Sequence, residues 1–244
     1  MDDQNDTEPL VSLKDGSTSI DPRLDRVDDK DERSRHFSAA SFFSHRKPRS
    51  YTWRPGPTLD QRSDGACVGF AWSHELAARP AVVSGITESF AKEKIYYAAQ
   101  KIDRFRGGAY PGAFPYLQGT SVLAGAKIVK NLGYMREYRW AFQIEDAILA
   151  VGYRGPVVFG CNWYREMNNP GDQGFVKPEG RLTGKHCILL YGVKIYQNDS
   201  GQVDFNKSYF KFQNSWGEDW GERGSARLKF SDVQKLWDGA ESCI

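Results

Sequence analysis

The stretch NSWGEDWGERG, residues 214–224, joins an asparagine to two tryptophans and three glycines, and strand-like segments lie on both sides of it. An asparagine side-chain oxygen can accept the N–H of a histidine ring without adding charge, and tryptophans packed over such a bond keep water away from it. Asn214 is therefore a candidate to orient a catalytic histidine, with Trp216 and Trp220 as its cover. Both tryptophans are equally compatible with an ordinary aromatic core.

The histidine partner has to come from four residues. His36 and His45 lie in a charged N-terminal segment, where we expect them to face solvent. His74 follows Cys67 by seven residues on one predicted helix, so about 10 Å along the axis separates the two. His186 opens the apolar strand HCILLYGV and is the best candidate, although a satisfied histidine at a strand end is also compatible with the pattern.

Cys67 begins a predicted helix in which Val68, Trp72 and Leu76 recur every four residues, and Pro80 ends the run. A helix N-terminus and a nearby imidazolium both stabilise a thiolate, so this position suits a nucleophile. Most free cysteines are simply buried, and this alternative stays open.

An acyl-transfer site also needs hydrogen-bond donors for the oxyanion. The backbone N–H of Cys67 is one candidate, and the side-chain amide of Gln61 is the second. A lone glutamine is normally a surface residue, so Gln61 has little weight by itself.

Composition excludes several functional classes. The chain has 244 residues, of which 40% are hydrophobic and 26% are charged, and its net charge of +2 gives no indication of a nucleic-acid partner. No apolar run reaches the roughly 20 residues of a membrane helix, and the first residues do not resemble a secretory signal. The four cysteines are widely spaced without a CxxC pair, which predicts no zinc site. Without a secretory signal, reduced thiols in the cytoplasm are expected. We expect no cofactor.

The chain divides into a charged arm, residues 1–50, predicted to be partly disordered or regulatory, and a folded domain, residues 51–244. Residues 21–35, DPRLDRVDDKDERSR, are expected to be solvated or weakly ordered. The predicted helices lie at about 60–150 and the antiparallel strands at about 155–244, so the fold class is α+β, with two lobes and a cleft between them. Ser231 and Gln234 form a capping-box pattern for a short terminal helix.

Three blocks occur in one order and resemble the active-site blocks of papain-like cysteine peptidases. They are DQRSDGACVGFAW (60–72), GKHCILLYGV (184–193) and YFKFQNSWGEDWGERGSARL (209–228). The likeness covers about residues 51–243, and the pattern N-S-W-G-x-x-W-G-x-x-G is its most specific part. It implies a papain-like two-lobed fold with a helical first lobe and an antiparallel, β-barrel-like second lobe.

The resemblance also implies a role for each matching residue. Cys67 corresponds to the nucleophile, and His186 to the base that later acts as an acid. Asn214 corresponds to the residue that orients the histidine ring. Gln61 and the Cys67 backbone N–H correspond to the oxyanion hole, and Trp216 to the shield beside the substrate.

Substrate-binding positions follow from the same resemblance. Gly119 and Thr120 match the pair whose backbone binds the substrate, and the Thr120 side chain is expected to narrow the cleft. Gly160 and Cys187 lie near positions that line the pocket for the second residue before the cleaved bond. Asp64 stands where relatives carry a disulfide-forming cysteine, which favours a reducing compartment.

Secreted relatives have a signal peptide and a long inhibitory propeptide, and this chain shows neither. The chain resembles the bacterial or viral branch of the family. We expect its residues 1–50 to be a regulatory or partner-docking arm. The leading hypothesis is a cysteine peptidase, a hydrolase acting on protein or peptide substrates without a nucleic-acid or membrane partner. An acyl transferase or amidase with the same site, and a non-catalytic papain-like binding module, are the alternatives.

Overall fold

The computed structural model describes residues 10–29, 31, 33, 36–43 and 45–244. Its α-helices within those residues are α1 (Cys67–Ala77), α2 (Tyr97–Ile102), α3 (Val122–Asn131), α4 (Ile144–Tyr153) and α5 (Phe230–Leu236). Its β-strands there are β1 (Val11–Ser12), β2 (Thr18–Ser19), β3 (Tyr51–Thr52), β4 (Val157–Tyr164), β5 (Leu182–Lys194), β6 (Tyr209–Gln213), β7 (Ser225–Lys229) and β8 (Glu241–Cys243). None of these helices has the length and apolar character needed to cross a membrane.

The α+β prediction is confirmed, with helices mainly in the first half and an antiparallel sheet in the second. The main sheet has the strand order β7-β6-β5-β4-β8, and β3 pairs with β5. β5 has thirteen residues and is mostly buried, as its run of apolar residues requires of a central strand. Leu182 at the start of β5 is exposed, but His186 further along the strand lies well inside the molecule.

Helix α1 is buried on almost every side, because most of its residues are apolar and are not confined to one stripe. It packs against β5 and α3, so its first residue, Cys67, lies at the junction of the helices and the sheet. Helix α3 begins at its N-cap Ser121, whose hydroxyl accepts the Ala124 N–H at 3.1 Å. Gly133, with a φ of 81°, follows its end as a C-terminal glycine should.

Two hydrophobic clusters form the core. One contains α1 to α3 and part of the sheet, and the other contains the sheet with α4 and α5. Helix α4 lies in the predicted helical part of the chain but packs with the sheet, because Ala147, Ile148 and Val151 contribute to the second cluster.

The N-terminal segment lies between these clusters. Leu24, Asp25, Arg26 and Val27 are fully buried, so the prediction that residues 21–35 are solvated is wrong at these four positions. Their burial is possible because each charged side chain finds a partner inside the protein, as described below. We call residues 21–28 the docked segment.

Two helix predictions need correction. The stretch SFAKEKIYYAAQKID, residues 89–103, predicts an α-helix, but the structure forms a π-helix, Phe90–Tyr96, before continuing as α2. The terminal helix begins at Phe230 with Lys229 as its N-cap, so Ser231 is not the cap. Phe230 is buried in the second cluster directly after β7, and this contact sets the start of the helix.

Candidate active site

His186 and Asn214 are joined by a hydrogen bond of 2.7 Å between Nε2 and Oδ1. Both side chains are fully buried. The same Asn214 oxygen accepts the backbone N–H of Ser215 at 2.8 Å, which fixes the orientation of the amide. The structure therefore brings together two residues that are 28 positions apart in the sequence.

Aromatic rings enclose this hydrogen bond. The Trp216 ring lies 5.2 Å from the His186 ring, at an angle of 33°. Trp163, which the sequence did not single out, contacts the His186 ring edge-on at 4.8 Å. Trp220 packs against Trp216 at 5.6 Å and completes the cover. Such an apolar enclosure strengthens a hydrogen bond by excluding water.

Gln61 is fixed by the loop that carries Asn214. Its Oε1 accepts the hydroxyl of Ser215, and its backbone N–H donates to the Ser215 carbonyl at 2.8 Å. Its Nε2 donates to the carbonyl of Asp64 at 2.7 Å and to that of Arg23 at 3.3 Å. The amide is thus buried and oriented, and its environment is not that of an ordinary surface glutamine.

The docked segment occupies the region between Cys67 and the sheet. Asp25 Oδ1 accepts the backbone N–H of Cys67 at 3.2 Å. On one side, the Arg26 N–H donates to the Lys185 carbonyl at 3.2 Å, and on the other, the Val27 N–H donates to the Thr120 carbonyl at 3.1 Å. The segment therefore connects the start of α3 to the start of β5 and fills the groove between them.

Burial disfavours charge on both Cys67 and His186. Burial and the neighbouring Asp25 carboxyl raise the pKa of the Cys67 thiol well above its usual value. Burial lowers the pKa of His186 to about 4, although the hydrogen bond to Asn214 opposes this. The pKa of Asp25 itself is raised to about 6 by burial, which hydrogen bonds from Cys67 and Tyr96 limit. With the segment docked, the thiol and the imidazole are therefore both neutral near pH 7.

The comparisons with known proteins agree with this geometry. A family model described as papain family cysteine protease matches residues 119–236, which include His186 and Asn214. The viral cathepsin of Spodoptera litura multicapsid nucleopolyhedrovirus is 24% identical over 208 residues, which cover 76% of this chain and 58% of that protein. Falcipain-3 of Plasmodium falciparum is 24% identical over 210 residues, which cover 74% of this chain and 40% of that protein.

The fold has a counterpart among solved structures. The crystal structure of xylellain, a cysteine protease from Xylella fastidiosa, has a TM-score of 0.62 at 18% identity and covers 90% of this chain and 94% of that one. The chain is similar to papain family cysteine proteases in sequence over residues 119–236, and to xylellain in fold. It spans 58% and 40% of the lengths of the viral cathepsin and falcipain-3.

The predicted substrate-binding residues all contact or adjoin the docked segment. Thr120 binds Val27 through its carbonyl, but its hydroxyl donates to Asp103 at 2.9 Å. The expectation that its side chain narrows the cleft stays a prediction. Gly119 has a φ of 101°, and a Cβ there would lie 2.7 Å from the Asp25 carbonyl oxygen, so the close approach of the segment requires glycine.

Gly160 and Cys187 are direct partners across β4 and β5. A Cβ at Gly160 would lie 2.5 Å from Cδ of Arg26, so the side chain of this arginine fills the space that the glycine leaves. Cys187 is buried in the cluster that contains Cys67. The four cysteines are all free.

The remaining histidines and Asp64 have other environments. His36 and His45 are exposed, as expected. His74 is buried, and its Nε2 accepts the Leu59 N–H at 3.1 Å, so it supports the turn before Gln61. Asp64 forms an ion pair of 2.6 Å with Lys92 at the surface.

Proposed function

We propose that the chain is a cysteine peptidase in which Cys67 is the nucleophile and His186 is the general base and acid. Asn214 orients the imidazole, and Gln61 with the Cys67 backbone N–H forms the oxyanion hole. The observation that carries the proposal is the enclosed His186–Asn214 hydrogen bond, because a buried amide beside an imidazole fixes the ring and its tautomer.

The proposed reaction uses these groups in two half-reactions. The thiol of Cys67 transfers its proton to His186, and the thiolate attacks the peptide carbonyl carbon while Gln61 and the Cys67 N–H stabilise the oxyanion. The imidazolium then protonates the leaving amine, and an acyl thioester remains. Water loses a proton to His186 and attacks the thioester, which releases the carboxylic acid and regenerates the thiol.

We further propose that the docked segment holds this site in a latent form. The two oxyanion donors bind different groups: Gln61 donates to the Arg23 carbonyl, and the Cys67 N–H donates to the Asp25 carboxyl. A peptide bond is activated only when one carbonyl oxygen receives both donors. The segment therefore blocks the site without presenting a bond for cleavage, and its removal lets the thiolate–imidazolium pair form.

The substrates of the proposed enzyme are proteins or peptides, in a cytoplasmic, reducing compartment. Acyl transfer or amide hydrolysis shares the first half-reaction and remains the alternative within this chemistry. A non-catalytic binding module is the alternative that involves no enzymatic chemistry. Docking of another partner through residues 1–50 stays a prediction.

Alkylation of Cys67 tests the proposal. The full-length Arg26→Ala variant is treated with iodoacetamide at about pH 6, and the adducts are mapped by mass spectrometry. Selective labelling of Cys67 that is lost when His186→Ala is added supports the activated pair. Equal labelling of all four cysteines, or labelling that does not depend on His186, would remove the basis of the proposal.

A further inference from the structure

A buried ion pair lies beside the candidate catalytic groups. Arg26 Nη1 is 2.7 Å from Glu241 Oε2, and Arg26 Nη2 donates to the Gly239 carbonyl at 3.1 Å. The Arg26 side chain is fully buried, and that of Glu241 is 5% exposed. Asp28 also contacts the guanidinium, at 2.9 Å, but it belongs to the docked segment itself.

The folded domain builds the rest of this pocket. Gly160 on β4 and Glu241 on β8 are direct partners across the two strands. The side chain of Val122, at the start of α3, lies on the opposite side, 2.9 Å from the position of a Cβ at Gly160. Gly160 leaves space for a long side chain, and Glu241 provides a negative charge that can pair with a cationic group at its end.

We propose that Glu241 makes this pocket selective for arginine in a bound peptide substrate, at the second residue before the cleaved bond. The inference rests on the proposed peptidase function. Arg26 shows the mode of binding: a guanidinium reaches both the Glu241 carboxylate and the Gly239 carbonyl. Glu241 stays with the enzyme when the docked segment leaves, so the pocket keeps its negative charge for the next occupant.

Other side chains satisfy this pocket less well. A leucine or phenylalanine would remove Glu241 from water without supplying a positive charge, which is unfavourable for a carboxylate. A lysine supplies the charge but lacks the planar fork that reaches two acceptors at once. The expected order of preference is therefore arginine, then lysine, then leucine.

A set of peptide substrates tests this order. The peptides differ only in the second residue before the cleaved bond, which is arginine, lysine or leucine, and the enzyme is the full-length Arg26→Ala variant. We expect kcat/KM for the arginine peptide to exceed that for the leucine peptide by at least about tenfold. Residual docking of the segment lowers the rate for every peptide by the same factor, so the ratio reports on the pocket alone.

Glu241→Gln in the same background is the decisive variant, since it removes the charge and keeps the shape. We expect the arginine-to-leucine ratio to fall at least about tenfold. Glu137→Gln removes a charge at an exposed ion pair with Arg139 and should leave the ratio unchanged. An unchanged ratio in Glu241→Gln would overturn the assignment.

A binding measurement separates this inference from the peptidase proposal. In the full-length Cys67→Ala/Arg26→Ala chain, the arginine peptide should bind at least about tenfold more tightly than the leucine peptide, and Glu241→Gln should abolish the difference. Equal binding of both peptides would overturn the pocket assignment even if peptides are cleaved. Tighter binding of the arginine peptide without any cleavage by the active chain would support the pocket and overturn the peptidase proposal.

Discussion

The carboxylate of Asp25 accepts the backbone N–H of Cys67 at 3.2 Å, although the two residues are 42 positions apart. This contact takes one of the two donors that the proposed reaction needs. It also places a second acidic group beside the thiol, which raises the pKa of Cys67 further than burial alone.

Asp25→Ala should activate the Cys67 thiol. Loss of the carboxyl group frees the Cys67 N–H and lowers the pKa of the thiol, so we expect iodoacetamide to alkylate Cys67 at least about tenfold faster than in the wild type. Asp15→Ala is the matched control, because Asp15 lies in the same arm but accepts hydrogen bonds from Ser17 within its own turn. Equal rates in the wild type and Asp25→Ala would show that Asp25 does not restrain the thiol.

Docking of the segment should weaken as pH rises. Burial raises the pKa of Asp25 from 3.8 to about 6 in the docked form, so its contribution to docking is full below 3.8 and is lost as pH passes through about 6. In the open site, proton transfer from Cys67 to His186 leaves the number of bound protons unchanged. It therefore does not change how the free energy of docking depends on pH. Hydrogen-exchange protection of the Val27 amide, corrected for the intrinsic exchange rate, measures docking at each pH.

Asp25→Asn supplies the control for this pH dependence. The amide has the shape of the carboxyl group but does not titrate, so we expect the fall in Val27 protection through about pH 6 to disappear. Protection that increases with pH in the wild type would contradict the assigned role of Asp25.

Lys14 should hold the N-terminal arm on the folded domain, although it lies outside the docked segment. Its ammonium lies 2.8 Å from Asp103 Oδ1 and donates to the Gln100 carbonyl at 2.6 Å, and both charged side chains are fully buried. Lys14→Met leaves Asp103 without its cation, so we expect Val27 amide exchange to become at least about tenfold faster. The exposed Lys47→Met should leave the exchange rate unchanged, and the same rate in both variants would exclude Lys14 as an anchor.

Asn214→Ala should affect both stability and reactivity. The substitution leaves His186 Nε2 and the Ser215 N–H without their shared acceptor. We expect the free energy of unfolding to fall by about 1–3 kcal/mol in denaturant titrations. In the Arg26→Ala background, Cys67 alkylation should also slow by about tenfold as the imidazole loses its orientation. The exposed Asn206→Ala should change neither quantity, and unimpaired alkylation in Asn214→Ala would argue against an orienting role.

The sequence is informative where a local pattern determines the structure. The four-residue spacing after Cys67 predicts α1, and the apolar runs predict β4 and β5, because burial of these side chains allows few alternatives. The contact of His186 with Asn214 could be predicted because the motif around Asn214 is specific, whereas Gln61 followed only from the resemblance. Helix α4 packs with the sheet. Its apolar periodicity does not predict this side of the core, because the choice depends on tertiary contacts.

The docked segment could not be predicted in the same way. Its residues are mostly charged, and composition alone favours a solvated chain. Their burial depends on partners far away in sequence: Glu241 follows Arg26 by 215 positions, and Cys67 follows Asp25 by 42. Ser215 lies in the quoted motif and Trp163 outside it, but nothing in the sequence indicates the contact of Ser215 with Gln61 or that of Trp163 with His186.

Hydrolysis of an arginine-containing peptide by the full-length Asp25→Ala/Arg26→Ala chain tests the central claim most directly, because this chain lacks two buried side chains that hold the docked segment in the site. We expect turnover well above that of the wild type, and no turnover once Cys67→Ser is added. Turnover that persists in the Cys67→Ser chain, or a complete lack of turnover in the released chain, would contradict a latent cysteine peptidase centred on Cys67.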